Sequence, residues 1–81
     1  MTEWDKRAMN IFAEFSGRNA NDILESHTLE ELGLTRHLIR PQVMIRMVKD
    51  FPVEIDIFKH GATVGKSLER IRYAIESATA A

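Results

Sequence analysis

The chain of 81 residues contains no cysteine, which excludes disulfide bonds, thiolate metal sites and a cysteine nucleophile. It has no apolar run near the roughly 20 residues that a membrane-spanning helix requires. Its first residues are polar and charged, unlike those of a signal peptide. We therefore expect a cytoplasmic protein with no membrane partner.

The sequence also lacks the residue patterns that are typical of metal sites and catalytic sites. The three histidines, His27, His37 and His60, do not have the i, i+4 spacing of a helical metal pair. No serine accompanies a histidine in a recognisable catalytic order, and no two carboxylates have a suggestive spacing. We therefore predict no metal site, no catalytic residue and no enzymatic activity.

Composition predicts one globular domain over residues 1–81, because the apolar content of 44% is near the average and the net charge is only −1. The charge is unevenly distributed: residues 1–34 carry −4 and residues 35–81 carry +3. Nucleic-acid-binding domains usually have a clear positive excess, so we expect no nucleic-acid partner.

Apolar periodicity predicts an all-α fold with a first helix that Thr2 caps, with Asp5 in the capping-box position. This helix should end near Ser16-Gly17. Residues 18–34 are predicted to form a long loop that contains a helical turn over Thr28 to Leu32.

Pro41 indicates that the second helix begins near Arg40-Pro41, although a start at Thr35 with a kink is the alternative. Pro52 should end it. The predicted buried face of this helix is Met44, Met47, Val48 and Phe51, and the opposite face carries Gln42, Arg46 and Lys49.

Residues 53–58 alternate in polarity, but no partner strand exists for them. We interpret them as an extended link into a short helix around Ile57 to Lys59, followed by a last helix capped by Thr63. Ser67 should lie exposed near its start. The predicted core is Trp4, Ala8, Ile11, Phe12, Phe15, Ile23, Leu24, Leu29, Leu32, Leu38, Met44, Met47, Val48, Phe51, Ile55, Phe58, Val64, Leu68, Ile71 and Ile75.

Three features between Met9 and Ile75 resemble the acyl or peptidyl carrier protein family. These are the Leu32-Gly33-Leu34 junction, the spacing from Phe51 to Ile55, and the segment from Ile57-Phe58 to Thr63-Val64. The resemblance implies a small antiparallel bundle of three main helices plus one short helix, with a long loop between the first two.

In this family a serine after the Leu-Gly pair carries phosphopantetheine, but here the attachment position falls on Arg36 or His37, depending on the alignment. Arginine cannot form the ester, and a histidine ester would not be stable. Thr35 has a hydroxyl, but it is secondary and stands one or two residues early. We therefore predict that no cofactor is bound.

Arg36, His37 and Arg40 crowd the start of the second helix, and Arg46 and Lys49 extend the basic residues along it. These basic side chains either are simply exposed to solvent or form a surface that binds an anion or a partner protein. Because the second helix is the usual docking surface of the family, the resemblance implies a monomeric, non-catalytic docking or regulatory module. Its partner would be a biosynthetic enzyme or another protein.

Two alternatives remain. One is a working acyl or aminoacyl carrier with unusual phosphopantetheine attachment. The other is a small helical nucleic-acid binder that uses Arg36, Arg40, Arg46 and Lys49, which the acidic first half of the chain disfavours.

Overall fold

The computed structural model describes residues 2–60 and 63–79, and this part of the chain is all-helical, as predicted. The four α-helices are α1 (Glu3–Ser16), α2 (Arg40–Asp50), α3 (Ile57–His60) and α4 (Val64–Thr79), with a short 3₁₀ turn at Ala20–Asp22. The described residues contain no strand, and only one isolated bridge, between Thr28 and Thr63, joins extended segments.

Helix α1 begins and ends where the sequence predicts. The Thr2 side chain accepts a hydrogen bond from the Asp5 amide at 3.1 Å, and the Asp5 carboxylate accepts one from the Thr2 amide at 3.2 Å. This reciprocal capping box satisfies amides that the first helical turn leaves unpaired. Gly17 ends the helix with φ +73°, the left-handed conformation that glycine adopts without a steric penalty.

The long connection between α1 and α2 is folded onto the core. Thr28 and Glu31 form a second capping box, in which each side chain accepts the other residue's amide at 3.0 Å. The helical turn that follows buries three leucines, which confirms the predicted turn over Thr28 to Leu32: Leu29, Leu32 and Leu34. Buried apolar side chains and local caps therefore hold a segment that has no regular helix.

The same connection also closes the start of α4. The carbonyls of His27 and Glu25 accept hydrogen bonds from the Val64 and Gly65 amides, both at 2.9 Å. The Thr63 hydroxyl accepts from the Lys66 amide at 3.2 Å, which confirms Thr63 as the cap. Gly65 has no side chain, and a Cβ there would lie 3.3 Å from the Glu25 carbonyl oxygen. Glycine thus permits the close approach of the loop.

Helix α2 begins at Arg40, so the shorter of the two predicted helices is correct. Pro41 occupies the first turn, where its missing amide hydrogen breaks no helical bond. The helix ends at Asp50, and Phe51 is already extended before Pro52, as expected for a residue that precedes proline.

The predicted buried face of α2 is wrong in part. Val43 is fully buried and Met47 is 2% exposed, whereas Val48 is 57% exposed and Met44 is only half-buried. The reason is that α2 carries apolar residues on two sides, and the side that packs against α1 is the one that contains Val43 and Met47.

Helices α3 and α4 complete the core. The Asp56 carboxylate accepts from the Phe58 amide at 3.0 Å and starts α3, as the short predicted helix requires. Gly61 and Ala62, inside the segment used for the resemblance, lie outside the described residues. Ser67 was expected to be exposed, but it is fully buried on the inner face of α4 and donates to the Thr63 carbonyl at 2.9 Å. Because the serine side chain is small, α4 can pack closely against the core at this position.

Helix α1 packs against both α2 and α4, and α3 packs against α4. A single apolar core lies between them. Most predicted core residues are buried or half-buried, but, besides Val48, Leu24 is 57% exposed and Leu38 is 74% exposed. Leu24 lies in the irregular segment after the 3₁₀ turn, and Leu38 lies in the turn before α2. The core also contains four residues that were not predicted: Met9, Leu34, Val43 and Ile57.

Candidate functional site

The outward face of α2 and the turn before it expose a row of apolar side chains. We call this row the α2 stripe and define it as Leu38, Pro41, Ile45 and Val48. Leu38, Ile45 and Val48 are each more than half exposed. Their spacing of three, four and three residues places them along one side of the helix. Large exposed apolar side chains grouped in this way are typical of interaction sites, whereas isolated ones are not.

Two shallow grooves border the stripe, and both are lined by Ile45 and Lys49. One, of about 280 Å³, also contains Met44 and Val48. The other, of about 220 Å³, is completed by Phe15 of α1 together with Gln42 and Arg46. Ile45 therefore stands as a ridge between two depressions, a relief into which side chains of another helix can pack.

The predicted docking residue Arg46 is engaged within the molecule. Its guanidinium donates two hydrogen bonds to the Glu14 carboxylate, at 2.7 and 2.9 Å, and one to Asp50 at 3.3 Å. The Glu14 hydrogen bonds and charge, with a smaller contribution from Asp50, raise the pKa of Arg46. Arg46 thus ties α2 to α1, and its charge is balanced by two carboxylates.

The other predicted docking residues lie at the two ends of α2 and are exposed. The Arg40 guanidinium lies over the Phe58 ring, 4.9 Å from its centroid. Arg36 packs beside Gly33, where a Cβ would lie 3.4 Å from its Nε. Lys49 is exposed at the other end of the helix, beside Ile45.

Thr35, Arg36 and His37, which cover the family attachment position, are exposed in the turn that precedes α2. Of these, only Thr35 has a hydroxyl. Ser67, by contrast, is inaccessible in the core. Across residues 2–60 and 63–79, no three or more histidine, aspartate or glutamate side chains gather in a way that could hold a metal ion.

The pKa of the Glu31 carboxylate is lowered. The hydrogen bonds from the backbone and then the side chain of Thr28 lower it below the ordinary value of 4.5. This carboxylate stabilises the loop beneath the site, and Glu31 also lines a groove with Arg18 and Arg36.

The docking residues predicted from the sequence lie on the same helix as the α2 stripe, but the prediction does not include the exposed apolar side chains of the stripe. Leu38 and Val48 were assigned to the core, and Ile45 was not singled out. Their three- and four-residue spacing is visible in the sequence, but so is the spacing of Val43, Met47 and Phe51. One apolar row had to face the core, and periodicity alone does not say which.

No protein-family model, curated protein or solved structure matches this chain. None of the described helices has the length and apolar character that crossing a bilayer demands.

Proposed function

We propose that this chain is a carrier-like docking module that lacks the phosphopantetheine arm and acts without catalysis in the cytoplasm. It serves fatty-acid, polyketide or nonribosomal-peptide type biosynthesis by binding an enzyme or another protein as a monomer. The order of elements supports this proposal: a long helix, a long folded connection, a second helix, a short helix and a final long helix. An antiparallel carrier-like arrangement of these helices is part of the proposal.

The observation that carries the docking function is the α2 stripe. An 81-residue domain has few apolar side chains to spare, yet Leu38, Ile45 and Val48 lie outside its core. Grouped exposure of this kind favours aggregation of an isolated domain, and a partner that covers the stripe would remove this cost. The stripe begins at Leu38, in the turn before α2 and directly after Arg36 and His37, where a carrier would bear its arm.

The alternative is a working carrier with unusual attachment. Its supporting observation is that Thr35 is exposed in the turn before α2, where a modifying enzyme could reach its hydroxyl. The remaining attachment candidates are side chains that form no stable phosphodiester, and Ser67 is buried.

The intact mass of the protein purified from its native host separates these two functions. The docking module is expected to have its unmodified mass, also after co-expression with a broad-specificity phosphopantetheinyl transferase. A gain of one phosphopantetheine contradicts the proposal, and a Thr35→Ala variant then tests whether the attachment residue is Thr35.

The docking function itself is tested by site-specific photo-cross-linking in the native host. A photoreactive amino acid replaces Val48 in one variant and Tyr73 in the control, because Tyr73 is exposed on α4 to a similar extent. We expect the Val48 variant to capture a defined protein that the Tyr73 variant does not. The purified partner should then bind the wild type and lose at least about tenfold in affinity toward Val48→Asp. Capture from both positions, or unchanged affinity, refutes docking through α2.

A further inference from the structure

We propose that the occupant of the α2 stripe is an amphipathic helix of a partner protein whose apolar face is flanked by acidic side chains. This inference rests on the proposed docking function and names the chemistry of the partner.

The shape of the surface favours a helix as the occupant. From Pro41 to Ile45 and Val48 the stripe advances by four and then three residues, the spacing that lets two helices pack side by side. The grooves beside Ile45 are shallow and open along α2, so they suit side chains from a neighbouring helix better than an enclosed small molecule.

The charge around the stripe is positive. Between Thr35 and Phe51 the only acid is Asp50, and it is held by Arg46. Glu14 of α1 is held by Arg46 as well. Arg36, Arg40 and Lys49 have no carboxylate within ion-pair distance among the described residues, so the net charge that meets a partner is positive. Complementary acidic side chains would speed association and reject basic partners.

The same charges disfavour a second copy of this chain as the occupant. In a symmetric dimer through the stripe, each α2 would face another α2, and the Lys49 and Arg40 side chains of both copies would meet an equally basic surface. Like charges placed face to face are costly, whereas an acidic helix removes this cost.

Two dye-labelled helical peptides test the inference in fluorescence-anisotropy titrations. Both carry leucines at alternating three- and four-residue spacing, and they differ only in their flanking residues, which are glutamates in one and lysines in the other. We expect the acidic peptide to bind at least about tenfold more tightly than the basic one at low salt, with the difference shrinking as salt is added.

Three variants of the full chain link the binding to the proposed surface. Val48→Asp should lower the affinity for the acidic peptide at least about tenfold, because it puts a charge into the apolar contact. Lys49→Glu should lower the affinity for the acidic peptide severalfold and raise the affinity for the basic peptide. Lys66→Glu makes the same charge change on the exposed surface of α4 and should alter neither of the two affinities. Circular dichroism verifies that all three variants stay folded.

Equal affinity for both peptides, binding by neither, or a Val48→Asp variant that binds like the wild type overturns the inference. A concentration-dependent dimer in analytical ultracentrifugation that Val48→Asp dissociates also overturns it, in favour of a second copy. If the peptides fail while cross-linking at Val48 still yields a specific partner, docking stands and only the acidic helix is wrong.

Discussion

The register of α2 decides which apolar row lies in the core and which is exposed as the proposed docking surface, and a matched pair of truncations measures this register. Val43→Ala and Val48→Ala remove the same two methyl groups from two interior positions of one helix. The gain in helix propensity is therefore similar in both variants and cancels from their comparison. The difference that remains reports how much of each valine is buried in the folded protein.

The structure gives very different environments for the two side chains. Val43 is 0% exposed, so its truncation loses about 1.6 kcal/mol of transfer free energy and adds a cavity term, for a total of roughly 2–3 kcal/mol. Val48 is 57% exposed, and its truncation should cost less than about 0.5 kcal/mol. A domain of 81 residues has a free energy of unfolding of roughly 4–12 kcal/mol, so the first loss is a large share of the total.

Urea unfolding provides the assay. Trp4 is half-buried, with its ring centroid 5.8 Å from that of Phe51, so its fluorescence should change on unfolding. Val43→Ala should shift the midpoint strongly and lower Tm by roughly 10–20 °C, while Val48→Ala leaves both near the wild-type values. If Val48→Ala destabilises the protein as much as Val43→Ala, the α2 stripe faces the core and the docking surface does not exist.

Three further predictions concern the elements that hold the site in place. Glu31→Gln should lower the free energy of unfolding at neutral pH. Because the pKa of Glu31 is depressed in the folded state, its carboxylate stabilises the fold above pH 4.5, and this contribution is lost as the pH falls through the lower folded-state pKa. In urea titrations at a series of pH values, the difference between wild type and variant should therefore vanish below pH 4.5. Gly17→Ala should cost about 1 kcal/mol by thermal unfolding, because φ is +73° although the space around Gly17 is open, and Gly17→Asn should cost less. Asp5→Ala removes the hydrogen bond from the Thr2 amide, one of the two bonds of the α1 capping box, and the 3.3 Å ion pair with Arg72, so it should cost roughly 1–2 kcal/mol. The exposed Glu3→Ala should change stability by under about 0.5 kcal/mol, and equal effects of the two substitutions would refute a stabilising role for the Asp5 carboxylate.

Local chemistry made the helix boundaries predictable. The Thr2 and Asp5 capping box, the glycine after Ser16 and the position of Pro41 each act within a few residues, so their consequences can be read from sequence neighbours alone. The same holds for the turn that Thr28 opens. For this reason the all-helical class and the ends of α1 follow from the amino-acid sequence, whereas the start of α2 stayed open between Thr35 and Arg40 until the structure placed it at Arg40.

The tertiary structure decided which side of each element faces the core. Helix α2 has two apolar rows, and only its packing against α1, reinforced by the Glu14–Arg46 ion pair, turns Val43 inward and Ile45 outward. Ser67 was assigned to the surface because it is polar, yet its hydroxyl is satisfied by the Thr63 carbonyl within α4, which allows burial. Burial depends on long-range neighbours, so a sequence with two equivalent apolar rows does not determine which row is buried until the helices pack together.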